Sequence, residues 1–154
     1  MGSNTSRNLG LRLSALLAYN RHEMSSDLEE RRQVPYLEGL GAYGQGRHED
    51  ALVKFDEALA LSPEWTEGLH GKAMALKQLE RYDDAIAVGQ RIVELDPNDP
   101  FAHTSLSIFY QLKGMIEEAE TEGAKARMLS WKEELKKNPH ARPPGPAGSM
   151  PVIQ

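Results

Sequence analysis

His48-Glu49-Asp50-Ala51-Leu52-Val53-Lys54-Phe55-Asp56-Glu57-Ala58-Leu59-Ala60-Leu61-Ser62-Pro63 is the stretch whose reading decides the fold. It returns 34 residues later as Tyr82-Asp83-Asp84-Ala85-Ile86-Ala87-Val88-Gly89-Gln90-Arg91-Ile92-Val93-Glu94-Leu95-Asp96-Pro97, and a third time, more loosely, from Ile116 to Trp131. Ala51, Ala85 and Ala119 hold the same place in each copy. Two acids precede each alanine (Glu49-Asp50, Asp83-Asp84, Glu117-Glu118), and a leucine follows ten residues on (Leu61, Leu95, Leu129). A fixed period of this length marks stacked supersecondary units, none of which can bury its apolar face alone. Such stacks present an extended binding surface rather than a reaction pocket.

Within one copy, Ala51, Leu52, Phe55, Ala58 and Leu59 follow the 3.6-residue period of a helix with one buried face. The paired acids fall in its first turn, where they complement the helix dipole. Pro63 and Pro97 stop it, because proline lacks the amide donor and clashes with the preceding turn. Each such helix has a partner before it. The pattern predicts first helices near 34–45, 67–79 and 101–113, and second helices near 48–61, 82–95 and 116–129. Gly46, Glu80 and Gly114 occupy equivalent turns between them, where positive φ is wanted and glycine supplies it most cheaply. Three helical hairpins result, over 32–65, 66–99 and 100–133.

This pattern resembles the tetratricopeptide repeat (TPR) family, which places small residues at fixed sites and a proline near the repeat end. The likeness is carried by Gly39, Ala51, Phe55, Ala58 and Pro63 in the first repeat, by Ala73, Leu76, Ala85, Ile92 and Pro97 in the second, and by Leu106, Ser107, Tyr110, Ala119 and Ala126 in the third. The chain departs from it at Pro35, Leu69 and His103, which replace a tryptophan. Glu38 and Lys72 replace an apolar residue, Gly89 and Gly123 an aromatic one, and Trp131 a third proline. The resemblance implies an all-α, right-handed α-solenoid with capping helices at its ends. It also implies a concave groove lined by the first helices, which by periodicity present Gln33, Tyr36, Leu37, Leu40 and Tyr43, then Glu67, His70, Met74 and Lys77, then Phe101, Thr104, Ser105, Ile108 and Gln111. Tyr36, Leu40, Tyr43, Met74, Phe101 and Ile108 are the expected anchors, with His70, Lys77 and Gln111 for polar specificity. Relatives that hold the acidic tails of cytosolic chaperones use a clamp of Lys and Asn. The matching places here are Tyr36, Leu40, Gly71, Phe101 and Ser105, so a hydrophobic peptide or amphipathic helix suits the groove better.

The ends read differently from the middle. Residues 1–8 read as a flexible leader and 9–31 as an N-terminal helical cap: Leu9, Leu13, Leu16 and Leu17 have helical spacing, and Ser26 with Glu29 signals a second short helix. Residues 1–22 hold Arg7, Arg12 and Arg21 with no acid, which also fits a mitochondrial presequence. Met1-Gly2-Ser3-Asn4-Thr5-Ser6 fits N-myristoylation, and Asn4-Thr5-Ser6 the glycosylation sequon. Ser130-Trp131-Lys132-Glu133 reads as a capping box opening a short C-terminal cap helix to Lys137, with Trp131 packed back on the third hairpin. Residues 138–154 hold five prolines, two glycines and no acid, the composition of a disordered or polyproline tail. Pro143 and Pro146 form a minimal PxxP.

Composition narrows the function. In 154 residues with a net charge of −5 there is no clustered Lys and Arg of the kind nucleic acid requires. No cysteine is present, so disulfides and thiolate metal sites are excluded, and a cytoplasmic protein is the expectation. No run of 18 apolar residues exists to span a membrane. Gly39-Leu40-Gly41-Ala42-Tyr43-Gly44 satisfies G-x-G-x-x-G, but a dinucleotide site needs a strand before it, and Arg31–Glu38 is charged and contains Pro35. The glycines instead suit a helix–helix contact. His22, His48, His70, His103 and His140 form no i, i+3 or i, i+4 metal pair; His70 and His103, one repeat apart, read as groove or surface residues rather than a shared metal site. No nucleophile elbow, phosphate loop or cofactor site is visible. The expectation is a non-catalytic adaptor for a protein or peptide partner, and the alternative is a self-association or assembly module forming a homodimer.

Overall fold

The computed structural model describes residues 3–145, with side chains from residue 8 onward. Six helices follow one another: α1 (Ser3–Gly44), α2 (His48–Leu61), α3 (Thr66–Gln78), α4 (Tyr82–Leu95), α5 (Pro100–Leu112) and α6 (Ile116–Lys137). No strand occurs among the described residues. Each helix packs on the next in chain order, and α1 also touches α3. The chain is therefore an all-α solenoid of stacked hairpins.

The same turn closes each hairpin. Gly46, Glu80 and Gly114 have φ of 76°, 57° and 79°. The amides of Arg47, Arg81 and Met115 then donate to the carbonyls of Ala42, Leu76 and Tyr110, each at 2.9 Å. This bond returns the chain against the helix it has just left and satisfies a carbonyl the helix end would otherwise orphan. A left-handed residue with a side chain costs about 1–2 kcal/mol, so Glu80 is the strained member of the set.

The core runs along the stack. Phe55 is the key residue of the first seam: its ring lies on the backbones of α1 and α3, at Gly39 and Gly71. A methyl group on Gly39 would stand 2.8 Å from the ring, and one on Gly71 2.6 Å. At the next seam the roles exchange. Gly89 of α4 lies under Leu106 of α5, where an added methyl would meet the leucine at 2.8 Å. Ala51, Ala85 and Ala119 are buried, the small residues that let paired helices approach.

The ends depart from the sequence pattern. α1 is one continuous helix from Ser3, not a leader followed by a cap. Ser26 caps nothing; its hydroxyl donates back to the Glu23 carbonyl inside the helix (2.9 Å). Residues 8–31 are exposed throughout and so neither cap the solenoid nor occupy its groove. Pro35 sits inside α1 although it carries the signature of a helix start. It deprives the Arg31 carbonyl of its helical donor and makes this turn the weakest of the helix. α6 likewise runs unbroken through Ser130 to Lys137. Trp131 does not serve as a separate cap helix's anchor; its indole N–H donates to the Ala141 carbonyl (3.2 Å) and holds the following segment. The myristoylation pattern at Met1-Gly2 and most of the proline-rich tail, with Pro146 of the PxxP, lie outside the described residues.

Candidate functional site

Translation by 34 residues converts the face of each first helix into ladders. Leu40, Met74 and Ile108 share one register on α1, α3 and α5, and are 40%, 44% and 41% exposed. Three large apolar side chains in one row, each about half free, form a strip rather than scattered surface residues. Phe101, 74% exposed, stands at the start of α5 in register with Gln33 and Glu67. Leu37 is exposed beside the strip, and Thr104 and Gln111 are exposed on α5.

Three of the other expected groove residues, Tyr36, Tyr43 and His70, are committed within the chain. Tyr36 is half-buried, its ring 4.7 Å from that of Trp65 and 5.8 Å from Phe55. Burial, then the charge of Glu67, raises its pKa above the usual phenol value of 10.0. It fills the first seam and is not a free anchor. Tyr43 sets its edge against His48 and accepts a hydrogen bond from Gln78 of α3 (3.0 Å). His70 faces Asp99 through Nε2 (2.7 Å), while the other oxygen of Asp99 caps α5 by accepting from the Phe101 amide (2.8 Å). Asp99 thus joins α3 to the start of α5. Lys77 is partly exposed at the edge of the ladder.

His103 is neither a groove nor a surface residue. It is buried, with Nδ1 2.6 Å from Glu122 of α6 and Nε2 3.0 Å from the Pro97 carbonyl. Both ring nitrogens are engaged, so it shares no site with His70. Among the described residues no three His, Asp or Glu side chains gather to hold a metal ion. The glycines of G-x-G-x-x-G fall in the last turns of α1, where Gly39 packs on Phe55 and Gly41 and Gly44 meet nothing.

The sequence reading missed a second feature. Beyond Thr104 and Ile108 the face opens into a cavity of about 670 Å³, bounded by α5, α6 and the segment after it. Ser107, Gly123, Arg127, Ser130, Trp131, Glu134 and Arg142 complete its lining. Gly123 and Arg127 occupy the registers of Phe55 and Leu59, which in the first hairpin pack toward the next repeat. The cavity thus stands at registers that, in the first hairpin, pack on the following first helix. The signal was legible as the change from Leu59 and Val93 to Arg127 at one register. A smaller cavity of about 460 Å³ lies beside the first hairpin, where Lys54 pairs with Glu38 (2.9 Å) and Arg47 with Asp50 (2.7 Å).

Residues 36–100 match the tetratricopeptide repeat family. These residues are tetratricopeptide repeats. Over 124 residues this TPR chain is 27% identical to the Hsp70-Hsp90 organizing protein of Triticum aestivum, covering 73% of its own length and 21% of that protein. It thus spans about a fifth of that curated relative. Its fold is similar to the TPR2B domain of yeast Sti1, solved as a complex with pHsp70 (22% identity, TM-score 0.65, 68% of this chain and 84% of that one). It is also similar to SycD, the type III secretion translocator chaperone of Yersinia enterocolitica (23% identity, TM-score 0.64, 70% and 83%). No helix among the described residues of the TPR chain is long and apolar enough to cross a membrane.

Proposed function

We propose that this TPR chain is a non-catalytic adaptor that seats an apolar peptide segment or amphipathic helix across its first helices. The observation that carries the reading is the ladder Leu40, Met74 and Ile108, extended by Leu37 and Phe101. Exposed apolar strips of this kind are stabilised by a partner that covers them. The relatives support binding of a protein partner in general. The clamp positions for chaperone tails carry Tyr36, Leu40, Gly71, Phe101 and Ser105, none of them cationic, which favours an apolar occupant.

The strip ends at Arg127 and Arg142, whose guanidinium groups make no ion pair among the described residues. An acidic group at one end of the occupant is accommodated there. Charge of this kind sets orientation and partner choice more than affinity.

A photoreactive benzoylphenylalanine at Met74 tests the reading in the native cell. It should capture a partner that the same group at Val53, exposed on α2, does not. With the photoreactive group moved to Phe101, Met74→Asp combined with Ile108→Asp should abolish capture while helicity is kept, since neither side chain is buried. Equal capture from Val53, or capture that survives both aspartates, overturns the assignment.

A further inference from the structure

The exposed first part of α1 presents a surface that the groove reading does not use. Residues 3–31 extend the helix about 40 Å beyond the portion packed against α2. Among the described residues, the side-chain hydrogen bonds and ion pairs of 8–31 are local: Ser14 to Gly10, Tyr19 to Glu23, Ser26 to Glu23, Asp27 to Arg31. Isolated helices are marginal in water, and most helical stability comes from packing an apolar face. This stretch has such a face. At 100° per residue Leu9, Leu13, Leu16, Leu17, Met24 and Leu28 fall within about 120° of one another, and all are exposed. Gly10, Asn20, Asp27 and Arg31 share the arc.

The charge along the same stretch changes sign. From residue 8 to 22 it carries Arg12 and Arg21 and no acid; from 23 to 31 it carries Glu23, Asp27, Glu29 and Glu30 against one cation, Arg31, which pairs with Asp27 (3.6 Å). Two copies laid side by side in the same direction would set arginine beside arginine and acid beside acid. Laid in opposite directions, each basic half meets the acidic half of the other.

We propose that two copies of this chain pair through an antiparallel contact between the exposed portions of their α1 helices. The overlap that fits both patterns sets Leu9 against Leu28 of the second copy, Leu13 against its Met24, and Leu17 against its Asn20. Arg12 then lies near Glu23 of the second copy. A lone polar residue such as Asn20 in an apolar seam fixes register at some cost in stability. An anionic membrane would use the basic half only. The apolar stripe runs on through Met24 and Leu28 into the acidic half, which such a surface repels and a second copy matches.

Sedimentation velocity on the full chain gives the first test: a dimer is expected, and a monomer overturns the proposal. Leu13→Asp should abolish the dimer and leave the thermal unfolding of the repeats unchanged, because Leu13 is exposed and far along α1 from the repeats. A dimer that survives it overturns the contact. Arg12→Glu should weaken the dimer several-fold, and Arg12→Glu with Glu23→Arg should restore it. The chain has no cysteine, so register can be read by cross-linking. An equimolar mixture of Leu9→Cys and Leu28→Cys chains should form the mixed disulfide; disulfides of Leu9→Cys chains alone would show a parallel pair and overturn the arrangement. Cosedimentation of a monomer with phosphatidylserine–phosphatidylcholine vesicles would assign the helix to a membrane surface and overturn it as well.

Discussion

The first seam and the open end of the stack use one register in opposite ways. At the first seam Phe55 drives an aromatic ring against Gly39 and Gly71, and no space is left. At the end of the stack Gly123 faces only Ser107 and Arg127, beside a cavity of about 670 Å³. The lesson is that a repeat does not own its core. A residue is buried or available according to whether another hairpin follows, so the same position builds the scaffold in one repeat and offers a surface in the next.

Phe55→Ala should break the closed side of the comparison most severely. Emptying a fully buried aromatic site costs about 3–5 kcal/mol, and a urea titration followed by circular dichroism should show it. Loss confined to a few tenths would mean that the glycine backbones close over the space.

Glu122 tests the open side, because it holds the last hairpin together from within. Burial acts to raise its pKa, but hydrogen bonds and charge from Lys125 and His103 outweigh that and lower it below the usual 4.5. A carboxyl whose folded pKa is depressed contributes stability above its unfolded value and loses it as pH falls through the folded one. Stability should therefore decline below about pH 4.5, and Glu122→Gln should flatten that part of the profile. The exchange should also cost about 1–3 kcal/mol at neutral pH, since buried His103 loses its charged partner. An unchanged acid limb in Glu122→Gln would remove the pair from the account.

Paired glycine substitutions sharpen the contrast. Gly71→Ala should destabilise by about 1–3 kcal/mol through overpacking against Phe55. Gly123→Ala should change stability by no more than about 1 kcal/mol, as alanine favours the helix and Arg127 can swing aside, whereas Ser107, tied to the Ala119 carbonyl (2.6 Å), must shift by a few tenths of an ångström. Equal costs at the two sites would erase the distinction between closed seam and open slot. The smallest effect belongs to the turns. Glu80→Gly should raise stability by about 1 kcal/mol by relieving a left-handed conformation, whereas Gly46 and Gly114 already have the residue their φ demands.

Much of this was legible in advance, for reasons that lie in particular residues. Ala51, Ala85 and Ala119 announce the hairpins because close helix approach tolerates nothing larger. Gly46, Glu80 and Gly114 announce the turns because a positive φ recurs at one interval. The exposed ladder Leu40, Met74 and Ile108 was visible because it obeys the same interval on a single helix face. Tyr36 and His103 were misplaced because periodicity assigns a side chain to a face but not to a neighbour. Tyr36 found Trp65 and Phe55 across a seam, and His103 found Glu122 on the following helix. The cap boundaries failed at Ser26 and Ser130, where capping-box start signals were overridden by helices continuing through them.

The amino-acid order alone determined the three hairpins, the interval between them and the face that Leu40, Met74 and Ile108 share, because these depend on neighbours a few positions away. Tertiary structure alone decided which register becomes a seam, which becomes an open slot, and that the first part of α1 is left exposed among the described residues. Those outcomes depend on what packs beside each hairpin, and burial is settled only by what lies across the gap.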